Sequence, residues 1–136
     1  MDNCLFCKII SGEIPAHKIY EDDETLAFLD IGPVSEGHTL IIPKEHATDL
    51  TAGSEESALA IMQTIKEIAP KITEALGATG YNLGMNNGRD AGQDVFHTHM
   101  HLMPRYENDE RKFVKSFPDN QFLAQIKSKI AQKLTN

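Results

Sequence analysis

The sequence predicts an α+β fold, a five-stranded antiparallel meander sheet with one main helix and a C-terminal helix. Three short stretches rich in apolar and β-branched residues follow one another between residues 17 and 43, which is typical of consecutive strands. A helical pattern begins only at residue 54, and a second one follows near residue 119. Because the strands do not alternate with helices, an antiparallel sheet is favoured over a parallel one.

The first part of the chain supplies a short helix and three strands. The helix is expected over residues 5–10, because Gly12 and Pro15 follow it and stop it. The three strands that come next are expected at residues 17–21, 25–30 and 37–43. The first two flank an acidic turn, and the third, Gly-His-Thr-Leu-Ile-Ile-Pro, is expected to be more buried.

The main helix is bounded by recognisable start and stop residues. Ser54 is expected to cap its first turn, where Glu55 and Glu56 face the positive end of the helix dipole. Gly77 is expected to end it. Pro70 should kink or interrupt the helix, because proline lacks the backbone N–H that the helix needs. One apolar face is formed by residues at three- and four-residue steps, namely Ile61, Ile65, Ile68, Ile72 and Ala75.

The second half of the chain supplies the remaining strands and the last helix. Strands are expected at residues 81–86 and 95–104, and the polar loop between them is too long for a tight hairpin turn. Residues 119–134 show a second amphipathic pattern. Its buried side is expected to carry Phe122, Leu123, Ile126, Ile130 and Leu134.

Length and composition indicate an ordinary small globular chain. Its 136 residues suit one domain over 1–136, with 40% hydrophobic and 24% charged residues. No apolar stretch is long enough to span a membrane, and the segment from Met1 to Cys4 lacks the features of a signal peptide, so we expect a cytoplasmic protein. The net charge of −7 argues against nucleic acid as a partner, but it leaves room for one small anionic ligand.

The most informative stretch is the run from Phe96 to Leu102, in which three histidines alternate with Phe, Thr, Met and Leu. Period 2 is the period of a strand, so His97, His99 and His101 should project from one face. The opposite face, which the main helix is expected to cover, carries Phe96, Met100 and Leu102. The histidine face must then be a cleft or a covered site.

Imidazole chemistry leaves two functional interpretations of this row, besides a plain patch of surface histidines. A neutral imidazole is a competent nucleophile, and a neighbouring imidazolium gives a proton to a departing group. Alternatively, the three rings ligate a catalytic zinc, although three residues in a straight row fit one tetrahedral ion poorly.

Cys4 and Cys7 are the only cysteines of the chain, in a C-x-x-C spacing. A structural disulfide is disfavoured in a reducing compartment, and no strand precedes Cys4 as it would in a redox motif. Two thiolates at this spacing can share one zinc ion. Reduced, buried thiols are the alternative.

His97-Thr98-His99-Met100-His101-Leu102-Met103 resembles the histidine triad signature of the HIT family, with Thr98 at a normally apolar position. The resemblance is closest to the Hint branch of nucleotide-binding hydrolases. Other blocks that resemble the family lie, in the expected order, at residues 4–10, 26–31, 37–43 and 92–96. Most of residues 1–105 is covered, and a C-terminal extension of about 106–136 lies outside.

The resemblance implies a HIT-like fold and a hydrolase or transferase that acts at the α-phosphate of a purine nucleotide through a covalent nucleotidyl-histidine. His99 would be the nucleophile, and His101 would hydrogen-bond the phosphoryl oxygens. His97 would orient its neighbours or bind a metal, and His38 would lie near the phosphate. Phosphoramidates and related adenylates head the implied substrates. A dinucleoside polyphosphate hydrolase and a non-catalytic nucleotide- and zinc-binding adaptor are the alternatives.

The resemblance also implies a binding site for the nucleotide. Asp30 would accept hydrogen bonds from the ribose hydroxyls. Asn86 and the backbone of Gln93, Asp94 and Val95 would cradle the phosphate. Asp94 departs from the family pattern, which often has Ser there, and a carboxylate repels phosphate unless it is protonated or turned away. The apolar residues that would enclose the base are Leu5, Phe6, Phe28 and Ile31.

A structural zinc ion, one per chain, is implied as well, because some bacterial members of the family use a matching set of ligands. Here that set is Cys4, Cys7, His46 and His97, which would close a tetrahedral site. The Hint branch further implies a homodimer.

Overall fold

The computed structural model describes residues 3–134, so the outermost residues of the predicted domain, 1–2 and 135–136, lie outside the described part. The strands are β1 (Lys18–Glu21), β2 (Thr25–Leu29), β3 (Thr39–Pro43), β4 (Gly80–Gly84) and β5 (Met100–Arg105). The helices are α1 (Leu5–Ile10), α2 (Glu55–Leu76) and α3 (Asn120–Leu134). Within residues 3–134, no helix is both long and apolar enough to cross a membrane.

The five strands form one antiparallel sheet in the order β1-β2-β3-β5-β4. The predicted α+β class and five-stranded antiparallel sheet are confirmed, but the simple meander order is wrong at its end. After α2 the chain returns at the outer edge as β4, and β5 fills the place between β3 and β4. The reason is burial: residues 102–105 of β5 are buried, whereas the three middle residues of β4 are exposed.

Helix α2 runs without interruption from Glu55 to Leu76, so the predicted break at Pro70 is wrong. Pro70 is exposed, and the carbonyl that loses its partner belongs to Lys66 on the same exposed side, where water can replace the missing N–H. The predicted ends are confirmed. Ser54 accepts a hydrogen bond from the N–H of Ser57 at 3.1 Å, and Gly77 takes the left-handed conformation with φ 71°.

Two hydrophobic cores lie on opposite faces of the sheet. The larger one packs α2 and α3 on one face and includes Ile61, Ile65, Ile68, Ile72, Leu102, Leu123, Ile126 and Ile130. The smaller one packs α1 on the other face and includes Phe6, Ile9, Leu26, Phe28, Leu40 and Ile42. The predicted burial of Phe122 and Phe96 is wrong, because they are 40% and 48% exposed. Phe96 precedes β5, so the strand alternation does not apply to it.

Gly37→Ala is expected to lower the free energy of unfolding by about 1–3 kcal/mol, the usual cost of a strained backbone. Gly37 has φ 87°, and an added Cβ would lie 2.3 Å from Cδ1 of Leu76 and 3.2 Å from Cγ of Pro104. Gly80→Ala is the matched control, because no atom lies within 4 Å of its added Cβ and no positive φ strains it. Urea unfolding measures both changes, and equal values would contradict the prediction.

Candidate active site

The three histidines of the central run do not share one strand. Strand β5 begins at Met100, so His97 and His99 precede it, and this prediction is wrong. The physical reason is a competing hydrogen bond: the backbone N–H of Thr98 donates to the carbonyl of Ala47, in the loop after β3, at 3.0 Å. The imidazoles still gather on one side, since the ring centroids of His99 and His101 are 5.1 Å apart.

One nitrogen of His99 is fixed by a hydrogen bond to the backbone. Its Nδ1 lies 2.8 Å from the carbonyl oxygen of His97, so Nδ1–H is the donor, and in the neutral ring this tautomer has its lone pair on Nε2. The ring is 3% exposed, and the edge of Phe6 packs against it at a centroid distance of 5.1 Å. This arrangement fixes the ring, and among the described contacts Nε2 has no hydrogen-bond partner.

A hydrogen bond from His38 determines which nitrogen of His101 carries the proton. The N–H of Val34 donates to Nδ1 of His38 at 3.1 Å, so the His38 proton is on Nε2. That nitrogen lies 2.9 Å from Nδ1 of His101 and donates to it, which leaves the His101 proton on Nε2. Asp30 Oδ2 is 3.6 Å from Nε2 of His38 and steadies that proton. The second ring nitrogen of His101 is thereby a hydrogen-bond donor.

Burial keeps this pair of rings neutral. It lowers the pKa of His38 to about 4, against a smaller opposing effect of the Asp30 carboxylate. It also lowers the pKa of His101, and the neighbouring His99 adds to the effect. Both rings are therefore neutral near pH 7, as the hydrogen-bond pattern requires.

The rings of His99 and His101 open into a cleft of about 790 Å³. Seven predicted ligand-binding residues line it together with these histidines: Leu5, Phe6, Phe28, Asp30, Ile31, Asn86 and Val95. Asp94 also lines it, whereas Gln93 does not. The Gln93 amide donates to the carbonyls of Thr48 and Val95 and accepts from the N–H of Gly88, so this side chain braces the loop.

A second cluster includes His97 of the triad and has the donor atoms of a zinc site. The sulfur and Nδ1 atoms of Cys4, Cys7, His46 and His97 all lie within 4.8 Å of one another. The Cys4 sulfur is 3.4 Å from Nδ1 of His97, and the Cys7 sulfur is 3.3 Å from Nδ1 of His46. The two Nδ1 atoms are 3.2 Å apart. In a tetrahedral zinc site with metal–ligand distances of about 2.0–2.3 Å, the ligand atoms lie about 3.3–3.8 Å from one another. The distances between these donor atoms are close to that range.

The tautomer of His97 suits metal ligation. Its Nε2 lies 2.8 Å from the carbonyl oxygen of Pro43 and donates to it, which leaves a lone pair on the Nδ1 that faces the thiols. In the described chain, the triad histidines do not form a donor cluster of their own. Asp30, His38 and His101 do come together, but Nε2 of His38 carries a proton and has no lone pair for a metal.

The sequence blocks around this site agree with those of a known family. A model of the HIT domain matches residues 11–108, which is most of the chain. The chain belongs to the HIT family.

Relatives of this HIT protein include named enzymes. It is 49% identical to Protein hit of Bacillus subtilis over 105 residues, which are 77% of this chain and 72% of that protein. It is 48% identical to adenosine 5′-monophosphoramidase hnt1 of Schizosaccharomyces pombe, over 76% of this chain and 74% of that one. It is 46% identical to adenylylsulfatase HINT3 of Arabidopsis thaliana, over 79% of this chain and 55% of that one.

Solved structures show the same fold. A zinc-bound histidine triad family protein from Mycobacterium smegmatis superposes with a TM-score of 0.90 and 38% identity, over 98% of this chain and 94% of that one. The chain is thus a HIT-fold member of a family of nucleotide-binding hydrolases.

Sequence reasoning missed the part of the cleft wall that comes from the C-terminal region of this HIT protein. Lys115, Asn120, Gln121 and Ala124 line the cleft, although they lie outside the matched residues 11–108. Gln121 and Ala124 are exposed residues of an amphipathic helix, a pattern that gives no hint of a distant cleft. Only the packing of α3 beside α2 and β1 brings them there.

Acidification is expected to destabilise the protein as His38 is forced to take up a proton. Its folded pKa of about 4 lies below the ordinary value of 6.5, so between these values the unfolded chain binds more protons than the folded one. Stability is fully present above pH 6.5 and falls as the pH approaches 4, by about 3 kcal/mol from this group. Urea unfolding at pH 7, 5.5 and 4.5 measures the slope, which His38→Gln should reduce. An equal slope in His38→Gln would contradict this origin.

Proposed function

We propose that this HIT protein hydrolyses purine nucleoside 5′-phosphoramidates and related adenylates at the α-phosphate. The observation that carries the proposal is the tautomer of His99, whose Nδ1–H is bound to a backbone carbonyl while Nε2 stays free beside His101. A nucleophile and a neighbouring hydrogen-bond donor in one cleft are what an attack on phosphorus requires. The names of the relatives from S. pombe and A. thaliana support the substrate class.

The reaction proceeds in two displacements at phosphorus. The lone pair on Nε2 of His99 forms a bond to the α-phosphorus, and the P–N bond breaks with its electron pair going to the amine, which takes a proton from solvent. His101 donates from Nε2 to a phosphoryl oxygen and stabilises its growing charge. Water then attacks the nucleotidyl-histidine, releases the nucleoside monophosphate and a proton, and restores His99.

The nucleoside half of the substrate is proposed to lie between the apolar walls of the cleft. Phe6 and Phe28 are buried with their ring centroids 5.5 Å apart, and they form a rigid floor for a purine. Leu5 and Ile31 are exposed at 43% and 73%, so they are free to close over the base. Asp30 would accept from the ribose hydroxyls.

The phosphate is proposed to lie against the loop that carries three of the predicted residues. The Asn86 side chain lines the cleft and donates to the carbonyl of Gly92 at 3.4 Å, which ties the two sides of the loop together. Val95 lines the same stretch, and the amide of Gln93 fixes the loop from behind. Backbone N–H groups of such a loop suit a phosphate.

We propose that one structural zinc ion is held by Cys4, Cys7, His46 and His97. Bound zinc would supply a cross-link between α1 and the loops that precede α2 and β5, with four protein ligands and no open position for substrate. His97 would be fixed by it, and the backbone carbonyl of His97 in turn holds His99. The zinc-bound relative from M. smegmatis supports the assignment. Reduced thiols at such a site fit the cytoplasm as its location.

A homodimer is proposed to form through β4 and the outer side of α2. Tyr81 and Leu83 on the edge strand are 44% and 40% exposed, and Leu59 and Met62 on α2 are 56% and 45% exposed. An unpaired strand edge beside apolar side chains is typical of a surface that another chain covers. We also propose that residues 1–136 form one domain, because α3 shares the core of α2.

Release of AMP from adenosine 5′-phosphoramidate tests the proposed activity. We expect turnover with ammonia as the second product, and a dinucleoside polyphosphate is assayed beside it. Cleavage of the dinucleotide alone would favour the alternative polyphosphate hydrolase. Binding of AMP without turnover of either substrate would favour the adaptor.

A further inference from the structure

A pair of opposite charges lies in the cleft beside the catalytic histidines. Nζ of Lys115 is 3.7 Å from Oδ2 of Asp94, and both residues line the cleft together with His99 and His101. Of the cleft-lining residues in the described part of the chain, Lys115 is the only lysine or arginine. The carboxylate that departs from the family pattern therefore has a cation as its partner.

The chain holds Lys115 at this place through neighbouring backbone bonds. Ser116 donates from both its N–H and its hydroxyl to the carbonyl of Pro33, at 2.8 and 2.7 Å. Arg105 donates to the carbonyl of Lys112 at 2.9 Å and so fixes the start of the segment 112–116, which carries Lys115. The stem of Lys115 passes close to Gly32, where an added Cβ would be 3.4 Å from its Cδ.

The pair borders the part of the cleft that is open to solvent. The side chains of Lys115 and Asp94 are 60% and 67% exposed, whereas Phe6 and Phe28 at the base of the cleft are buried. If the nucleoside occupies the apolar end, the group attached to the α-phosphate points to the open side, from which it must depart. Lys115, at the open side of the cleft, would therefore contact the leaving group and not the purine.

We propose that Lys115 raises kcat/KM for those adenylates of the proposed substrate class whose leaving group carries negative charge, such as sulfate or a phosphate. The inference rests on the proposed function and names the substrate class of the same cleft. Asp94 holds the ammonium group in the free protein, and the anionic leaving group takes over that ion pair when substrate binds. With a phosphosulfate, which is a mixed anhydride, the His99–phosphorus bond forms, the bond from phosphorus to the bridging oxygen breaks, and its electron pair leaves with sulfate.

The test compares two adenosine substrates that differ in the charge of their leaving group. Adenosine 5′-phosphosulfate loses an anion, and adenosine 5′-phosphoramidate loses ammonia. We expect Lys115→Met to lower the ratio of their kcat/KM values, sulfate over amide, by about tenfold, a value between those of buried and surface charge interactions. Lys115→Arg should restore most of the ratio, and high salt should shrink the effect.

Lys112→Met is the matched control. Lys112 belongs to the same segment, is 69% exposed, pairs with Glu110 at 2.6 Å and does not line the cleft. It should leave the ratio unchanged. Asp94→Asn should raise the ratio, because it frees Lys115 and removes a competing negative charge.

The outcomes separate this inference from the proposed function. An unchanged ratio in Lys115→Met, or a wild-type protein that cleaves the phosphoramidate and not the phosphosulfate, overturns the role of Lys115 and leaves the hydrolase standing. Failure of the wild type to release AMP from either substrate overturns both.

Discussion

His99→Ala is expected to lower the rate of AMP release from adenosine 5′-phosphoramidate by about a thousandfold or more. The change removes the nitrogen that attacks phosphorus, and neither neighbouring ring can replace it. Nδ1 of His101 accepts from His38, and His97 faces the cysteine sulfurs. Loss of a covalent nucleophile removes a step that binding alone cannot supply.

Single-turnover kinetics measures the effect directly when the reaction is quenched in alkaline denaturant, because P–N bonds hydrolyse in acid. Mass spectrometry should find AMP on a histidine of the wild-type protein and none on His99→Ala. His17→Ala is the matched control, because His17 lines the same cleft and its side chain bonds only to Asn120 among the contacts described for it. It should change the rate by only a few-fold. A trapped adduct in His99→Ala, or a loss of similar size in His17→Ala, would refute the assignment.

Cys7→Ser is expected to abolish zinc binding and to lower the free energy of unfolding by about 4 kcal/mol, the linkage value when zinc exceeds its Kd a thousandfold. The Cys7 sulfur lies 3.3 Å from Nδ1 of His46 and 3.7 Å from Nδ1 of His97, so it is close to both histidine ligands of the proposed site. A hydroxyl cannot replace the thiolate as a zinc ligand.

Metal analysis and urea unfolding, with and without EDTA, test this second prediction. EDTA should destabilise the wild type and leave Cys7→Ser unchanged, which provides an internal control for general effects of the substitution. AMP release by folded Cys7→Ser should fall by less than tenfold, since His99 is not among the ligands. If Cys7→Ser lost as much AMP release as His99→Ala, the metal would instead be catalytic. Added zinc would then restore activity to the EDTA-treated wild type and not to Cys7→Ser.

The strand prediction failed at the triad, yet the chemical prediction for its histidines did not depend on it. Period 2 placed His97 and His99 on a strand, whereas the hydrogen bond from Thr98 to Ala47 draws that segment away from the sheet. The rings of His99 and His101 nevertheless remain neighbours, with centroids 5.1 Å apart. Their roles are proposed from their partners, the carbonyls of His97 and Pro43, which no sequence pattern identifies.

Local chemistry in the sequence determined the ends of the helices. Ser54 and Gly77 bound α2 because a hydroxyl that accepts a backbone N–H and a residue without Cβ act within one turn of the chain. The C-x-x-C spacing likewise places both thiols at α1, since the Cys4 sulfur accepts from the N–H of Cys7. These features need no information from distant residues.

Only the tertiary structure decided the order of the last two strands, the proton arrangement of His101 and the position of Lys115. Each depends on groups far apart in the chain: His38 and His101 are separated by 63 positions, and Ser116 and Pro33 by 83. Such contacts are selected by burial and by the need to satisfy buried polar groups throughout the fold. The sequence by itself therefore determined which chemistry is present, and the packing determined which nitrogen carries each proton and which charge enters the cleft.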